Sequence, residues 1–233
     1  MKPAGLRHFC RCASMGLALI LVSGCARLQR ERLHPLFRVT DWEVQEAVKQ
    51  AATVRLGRDR EANLRTLYGS LGQRVHQQVG RGVTVEEVLL CLPTDFLRAQ
   101  AALAMGRGDL AMQQAAQNAL SQVGRSIRFV AFLSLTPDLD PAQVQFFMED
   151  GRGNRFSPLR AVKPELLREV TSAFTGKTTR YYDFALDFPV SGRGRLPPID
   201  AEVKQLILIV AEGGQELRLA FALPIPQRKE VNL

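Results

Sequence analysis

The sequence predicts an α+β protein in which a small N-terminal helical bundle is followed by a C-terminal immunoglobulin-like β-sandwich. Between residues 41 and 124, apolar residues recur at intervals of three and four, as on one face of a helix. From residue 125 to residue 226, apolar and polar residues alternate in short runs separated by Gly and Pro, which is the pattern of antiparallel strands. Residues 227–233 follow as a tail. The change of period at Gly124 therefore predicts the boundary between the two parts.

Capping signals support the predicted helices. Thr40 and Glu43 have the spacing of a capping box, and Thr84 and Glu87 repeat it. The first box predicts a helix that ends near Gly57, and the second predicts a short helix that ends before Pro93. The remaining helices are predicted over residues 60–80, 95–105 and 109–123, the last with a regular apolar face.

The predicted strands are short and end at turn-forming residues. Residues 150–154, Asp-Gly-Arg-Gly-Asn, tolerate positive φ and predict a hairpin turn. Residues 164–174 are interpreted as a helical turn or two. No tryptophan or cysteine pair marks an immunoglobulin core, so this prediction depends on the strand pattern alone. The strands are predicted at residues 127–135, 144–148, 156–162, 181–188, 204–211 and 217–223.

The N-terminus has the composition of an export signal. The first eleven residues carry Lys2, Arg7 and Arg11 without an acidic residue, and an apolar run over residues 13–22 follows. That run is shorter than the roughly 20 apolar residues that span a bilayer. Small residues then lead to Cys25. The pattern predicts that residues 1–24 are a signal peptide.

Val22-Ser23-Gly24-Cys25 resembles the lipobox of bacterial lipoproteins, in which an aliphatic residue and two small residues precede a cysteine. The resemblance covers only the first 25 residues. It implies cleavage between Gly24 and Cys25, a lipidated Cys25, and a tether over residues 25–40. Ala26 in place of aspartate implies the outer membrane, with the protein facing the periplasm. The alternatives are an ordinary secretory signal with a chance cysteine, or a short uncleaved anchor.

The charge of the chain is positive but dispersed. Thirty-one lysines and arginines stand against 23 acidic residues, for a formal net charge of +8. Three of these positive charges belong to the predicted signal peptide. Because the remainder form no cluster with aromatic or helix-turn-helix context, and because the chain carries an export signal, we expect no nucleic-acid partner. Contact with anionic lipid or glycan stays open.

No catalytic, metal or cofactor motif is recognisable. The histidines after the signal, His34 and His76, are isolated, so they predict no zinc site. Cys91 is the only cysteine beyond Cys25 and is interpreted as a buried structural thiol, although a pairing with His76 as nucleophile and base is conceivable. Three aspartates could bind calcium, but loop aspartates without regularly spaced oxygen ligands are more often turn residues. They are Asp138, Asp140 and Asp150.

One group of arginines suggests a binding surface. If the strands alternate in direction, the loops at residues 150–154 and 189–200 lie at the same end of the predicted sandwich, with the loop at residues 176–180 at the opposite end. Arginines on loops suit carboxylate or phosphate partners. The alternative is that these charges are solvated or form a seam against the helical bundle. The arginines are Arg152, Arg155, Arg193 and Arg195.

The anchor, the predicted sandwich and the missing site chemistry together favour a non-catalytic function. We expect an accessory or scaffold lipoprotein of the cell envelope that binds another envelope protein. The first alternative is recognition of an anionic envelope polymer, peptidoglycan or polysaccharide, through the arginine-rich end. The second is an envelope hydrolase whose residues the sequence does not reveal.

Overall fold

The computed structural model describes residues 33–106, 111–120, 126–190 and 199–223. The predicted cleavage and lipidation site at Gly24 and Cys25 lies outside these residues. Arg193 and Arg195 lie outside them as well.

In the described chain, two helices precede the first strand and two more lie between the second and third strands. The helices are α1 (Asp41–Ala51), α2 (Arg60–Tyr68), α3 (Pro93–Gly106) and α4 (Met112–Leu120). The strands are β1 (Leu71–Val79), β2 (Val83–Cys91), β3 (Ser126–Leu135), β4 (Gln145–Glu149), β5 (Arg155–Phe156), β6 (Pro164–Thr171), β7 (Thr178–Pro189), β8 (Gln205–Glu212) and β9 (Gln215–Ala222). Single 3₁₀ turns occur at Pro35–Phe37 and Pro141–Gln143.

The strands form two antiparallel sheets. The order in the five-stranded sheet is β1-β2-β3-β7-β6, and the order in the four-stranded sheet is β5-β4-β8-β9. Within the helical layer, α3 contacts α1, α2 and α4. The helices cover part of the outer face of the five-stranded sheet, the face turned away from the four-stranded sheet. The described residues therefore form three layers, one of helices and two of strands.

Two apolar cores lie on opposite faces of the five-stranded sheet. Alternate residues of β3 such as Phe129 and Leu133 join β7, β8 and β9 in the core between the sheets, where Phe129 makes edge contacts with Phe188 and Phe221. The intervening residues, such as Val130 and Phe132, join the core beneath the helices. Strand β3 is consequently buried on both faces, as the central strand of a layered protein must be.

The prediction of an N-terminal helical bundle and a separate immunoglobulin-like sandwich is wrong. Residues predicted as helix, 71–79 and 83–91, are strands β1 and β2; β1 pairs with β2, and β2 pairs with β3 in the same sheet. The short runs fit both periods, but burial decides between them: Val83 and Val85 are buried while Thr84 and Glu86 are only half-buried, which is strand alternation. The capping-box spacing of Thr84 and Glu87 is therefore coincidental.

Residues 164–174 are also not helical as predicted, because Pro164–Thr171 is strand β6, paired with β7. Other predicted elements are confirmed. The capping box that opens α1 is present, with Thr40 Oγ1 accepting from the Glu43 amide at 3.3 Å and Glu43 Oε2 accepting from the Thr40 amide at 2.7 Å. The strands predicted near residues 127–135, 144–148, 181–188, 204–211 and 217–223 are confirmed as β3, β4, β7, β8 and β9.

The segment before α1 is part of the folded body from Leu33 onward. Leu33, His34 and Phe37 are buried, and Leu33 forms an antiparallel bridge with Asp200. The predicted tether of residues 25–40 overlaps this segment, so any free tether must lie before Leu33. Among the described residues, no helix has both the length and the apolarity to cross a bilayer.

Candidate functional site

A trough crosses the outer face of the five-stranded sheet beside helix α2. Its volume is about 350 Å³, and residues of all five strands and of α2 line it. Because neighbouring strands lie about 4.8 Å apart, the distance from β1 to β6 across the sheet is about 19 Å. The trough is therefore elongated, with its long axis across the strands. Its polar lining residues are Glu61, Arg65, Arg74, His76, Glu86, Glu87, Arg168, Tyr181 and Tyr182.

Two β-bulges shape one end of the trough. The register of β1 against β2 shifts between Arg74 and Gln77, and the register of β2 against β3 shifts between Val85 and Glu87. The second bulge places both Glu86 and Glu87 in the trough lining, whereas an unbroken strand would turn one of them towards the core. Within the described residues, His76 is the only non-glycine residue with positive φ, at 47°. Bulges and left-handed residues of this kind often position side chains at functional sites.

The bulges bring three polar side chains into a chain of hydrogen bonds. His76 Nδ1 lies 2.7 Å from Glu86 Oε2, and Ser134 Oγ donates to Glu86 Oε1 at 2.7 Å. The carboxylate orients the exposed imidazole. Ser134 is buried and contacts the carboxylate rather than the imidazole, so this order of groups does not activate its hydroxyl as a nucleophile.

Paired charges form the middle of the trough. Arg65 donates to Glu87 and, at 2.7 Å, to Glu61, while Arg168 donates to the second oxygen of Glu61 at 2.7 Å. Burial would lower the pKa of Arg65, but its hydrogen bonds and charge interactions with Glu87 and Glu61 raise it above the ordinary value. Arg65 therefore stays charged with its guanidinium held in place.

Aromatic rings support the same arginines. The guanidinium of Arg65 lies 5.2 Å from the ring centre of Phe132, and that of Arg168 lies 4.4 Å from the ring centre of Tyr181. Such stacking and the ion pairs together restrict the side chains to one orientation. The trough thus presents pre-oriented guanidinium groups beside apolar ring surface.

The structure does not bring His76 and Cys91 together as a nucleophile and its base. His76 lies opposite Glu86, while Cys91 lies five residues further along β2 beneath the helices. Cys91 is fully buried, and burial raises the pKa of its thiol far above the ordinary value. The prediction of a buried structural thiol is confirmed in its burial, because Cys91 is only 4% exposed.

His34 lies in a different environment, at the edge of the core between the sheets. Its Nδ1 accepts from the Leu36 amide at 3.3 Å, and its Nε2 is buried and has no hydrogen-bond partner among the described residues. Burial, helped by the nearby charge of Arg38 and opposed by Asp200, lowers the pKa of His34. The imidazole is therefore neutral at pH 7, with its proton on Nε2.

The two described arginines of the predicted anion-binding end both contact carboxylates of this protein. Arg152 Nη2 lies 2.8 Å from Asp200 Oδ2, and Arg155 forms two hydrogen bonds of 2.9 Å with Glu216 while stacking 5.0 Å above Phe147. The contact with Asp200 places the turn at Arg152 beside the end of the loop that carries Arg193 and Arg195. These pairings do not favour the alternative of an anionic polymer, which stays a prediction.

Two of the three candidate calcium ligands, Asp140 and Asp150, have local roles in turns. Asp150 accepts from the amides of Arg152 and Asn154, and Asp140 accepts from the Ala142 amide at the start of a 3₁₀ turn. In the part of the chain that the structure describes, no group of three or more His, Cys, Asp and Glu residues could hold a metal ion.

The sequence interpretation missed the trough because it placed residues 71–91 in helices. The signal was present in Glu86-Glu87, two adjacent acidic residues that interrupt the alternation of an otherwise apolar strand. A β-bulge accommodates such an interruption, because it places two successive side chains on the same face of the sheet.

Comparisons with known proteins leave the chain without a family. No protein-family model and no curated protein matches it. Among solved structures, it is similar to one described as a novel protein of unknown function from Burkholderia pseudomallei K96243. That similarity has 10% sequence identity and a TM-score of 0.34, and it covers 75% of this chain and 88% of the other.

Proposed function

We propose that this protein is a lipid-anchored, non-catalytic accessory protein of the cell envelope whose role is to bind another envelope protein through the edge strand β6.

Strand β6 carries the proposal. It lies at one edge of the five-stranded sheet, and among the described strands only β7 pairs with it. Leu166 is 52% exposed, Val170 is 45% exposed, and Phe174, in the turn that follows, is fully exposed. Leu166 lies opposite Tyr182 and Val170 lies opposite Thr179. An exposed edge with apolar side chains is the surface on which another chain can add a strand.

The charged residues of β6 do not prevent its edge from pairing with another strand. Charges on edge strands normally discourage pairing with another chain. Here Glu165 pairs with Arg60 at 2.6 Å, Arg168 with Glu61 at 2.7 Å, and Glu169 with Arg180 at 2.8 Å. These ion pairs hold the side chains against the protein, so the backbone of β6 stays accessible to a partner strand.

The lipid anchor gives such a surface a fixed location. The resemblance of residues 22–25 to a lipobox supports acylation of Cys25, and each buried CH₂ group of an acyl chain adds about 0.8 kcal/mol to membrane binding. Several acyl chains on one residue therefore hold the protein durably at the membrane. We place it at the outer membrane, facing the periplasm, where its partner would be another envelope protein.

In-cell photo-crosslinking tests this proposal. A photoreactive amino acid replaces Val170 or Phe174 in the full-length chain, and the matched control carries it at Thr53, an exposed residue after α1. We expect a discrete adduct with one envelope protein from positions 170 and 174 and none from the control. Adducts of equal yield from all three positions, or none from β6, would overturn the proposal.

A further inference from the structure

The trough has several unused hydrogen-bond donors and few free hydrogen-bond acceptors. Five of the six carboxylate oxygens of Glu61, Glu86 and Glu87 have a hydrogen-bond partner within the protein. Arg65, Arg74 and Arg168 balance the three glutamates in formal charge. The arginines nevertheless have more unused N–H donors than the glutamates have free acceptor oxygens. The acceptors of the trough are therefore almost all occupied by the protein itself.

The guanidinium groups keep unused N–H donors. The side chain of Arg74 is exposed and makes no hydrogen bond or ion pair with another described residue. Arg168 contacts Glu61 through Nη1, and the structure gives no acceptor for its Nε or Nη2. Arg65 donates through Nε to Glu87 and through Nη2 to Glu61, and its Nη1 has no acceptor among the described residues. Unused guanidinium donors in a fixed orientation bind carboxylates well, because the planar fork matches the two oxygens.

The shape of the trough selects a linear ligand with apolar groups. Its length of about 19 Å corresponds to about six residues of extended chain at about 3.3 Å per residue. Leu167 and Tyr181, both half-buried, supply apolar surface near the arginines, while Phe132 is buried and stacked by Arg65. Arg74 lies on β1 at one edge of the sheet, and Arg168 lies on β6 at the other. A ligand that satisfies these features has carboxylates spaced along an extended chain with an apolar side chain between them.

We propose that the trough binds an extended acidic peptide segment of the partner protein, with its carboxylates on the free donors of Arg74, Arg65 and Arg168. This inference rests on the proposed function, because it assigns the peptide to the partner. In this proposal the segment enters at the β6 edge, at the proposed docking strand. The His76 imidazole, held by Glu86, lies at the β1 end and offers a further nitrogen to the same chain.

Binding of a defined peptide to the purified full-length protein tests the inference. The probe is the fluorescein-labelled peptide Glu-Ser-Leu-Ser-Glu-Ser, in which alternate residues face the trough because side chains alternate along an extended chain. The matched probe replaces both glutamates with glutamines. Fluorescence polarisation should show at least tenfold tighter binding of the glutamate peptide, since a charge-assisted pair is lost in the other.

The variants separate the trough from general surface charge. Arg74→Ala removes an exposed side chain without an internal partner, so we expect it to keep the fold and to weaken binding of the glutamate peptide at least tenfold. The control Arg160→Ala removes an exposed arginine that does not line the trough, and binding should stay unchanged. Circular dichroism confirms that both variants are folded.

Three results would overturn the inference. They are equal binding of the two peptides, equal loss in the two variants, and binding of an oligouronate in place of the peptide. The outcome is independent of the crosslinking experiment. If the peptide binds the trough but β6 gives no adduct in cells, the proposal for the docking strand is wrong and the inference for the trough stands. If β6 gives an adduct but the peptide does not bind, the inference for the trough is wrong and the docking strand stands.

Discussion

At the scale of single residues, His34 links the stability of the fold to pH. Its imidazole is fully buried, its Nε2 lacks a partner, and burial with the charge of Arg38 lowers its pKa while Asp200 acts in the opposite direction. In the unfolded chain the same group titrates near about pH 6.5. Since the unfolded state binds the proton more readily, the free energy of unfolding falls as the pH drops below about 6.5.

Denaturation in urea at about pH 7.5 and about pH 5.5 measures this effect. We expect His34→Asn to reduce the loss of stability between the two pH values, because the titrating group is gone. The control His76→Gln removes a histidine whose side chain is 83% exposed and should keep the loss seen in the parent protein. An identical pH dependence in the parent and His34→Asn would contradict the assignment.

At the scale of secondary-structure elements, the bulge in β1 stores backbone strain at His76. A left-handed conformation costs a residue with a Cβ about 1 kcal/mol, whereas glycine adopts it freely. The observed φ of 47° falls in this region. Replacing His76 by glycine or by alanine removes the same hydrogen bond to Glu86, so the difference between the two variants isolates the backbone cost.

We expect His76→Gly to be more stable than His76→Ala by about 1 kcal/mol in urea denaturation. A control pair at Gln78, an exposed residue of the same strand without positive φ, should show the opposite order because glycine weakens an ordinary strand position. If alanine were the more stable replacement at position 76, the left-handed conformation there would be refuted.

The elements also show how much of the fold can be predicted from local sequence. Helix α1 is predictable because its capping box and apolar face agree, and Val44, Ala47 and Ala51 are indeed buried. Strand β7 is predictable because its alternation extends over many residues. Strands β1 and β2 are not, since the spacing of their apolar residues fits both periods, and only the pairing of β1 with β2 and of β2 with β3 selects the strand.

At the scale of the whole molecule, the predicted anchor at Cys25 can be tested by where the protein is found. If Cys25 is acylated, Cys25→Ser removes the site of lipid attachment and moves the protein from the membrane fraction to the soluble fraction, because the apolar run of residues 13–22 is too short to span a bilayer. Metabolic labelling with a radioactive fatty acid should label the parent protein and not the variant.

The cysteine Cys10 in the predicted signal peptide provides a matched control. Cys10→Ser should keep both the label and the membrane location, because the lipobox does not include that residue. Label retained in Cys25→Ser, or lost in Cys10→Ser, would contradict the assignment of the anchor to Cys25.

The candidate site is a property of the whole molecule rather than of any motif. Its lining residues come from positions as distant as Glu61, His76, Phe132 and Arg168, which the strand order brings to one face. Of the arginines predicted from sequence as a binding surface, the described Arg152 and Arg155 contact carboxylates of this protein instead. Electrostatic partners depend on which strands are neighbours, and that order is not readable from local patterns.

By itself, the sequence determined helix α1 and the strands in which alternation continues for many residues, and it predicts the anchor at Cys25, which stays a prediction. These features depend on local chemistry: the order of small and apolar residues, a capping side chain within reach of its own helix, and a period of two. Only the tertiary structure decided that residues 71–91 are strands, that the helices cover one face of a shared sheet, and that two bulges and three arginines meet in a trough. The physical reason is that burial and pairing with residues distant in the chain outweigh weak local preferences.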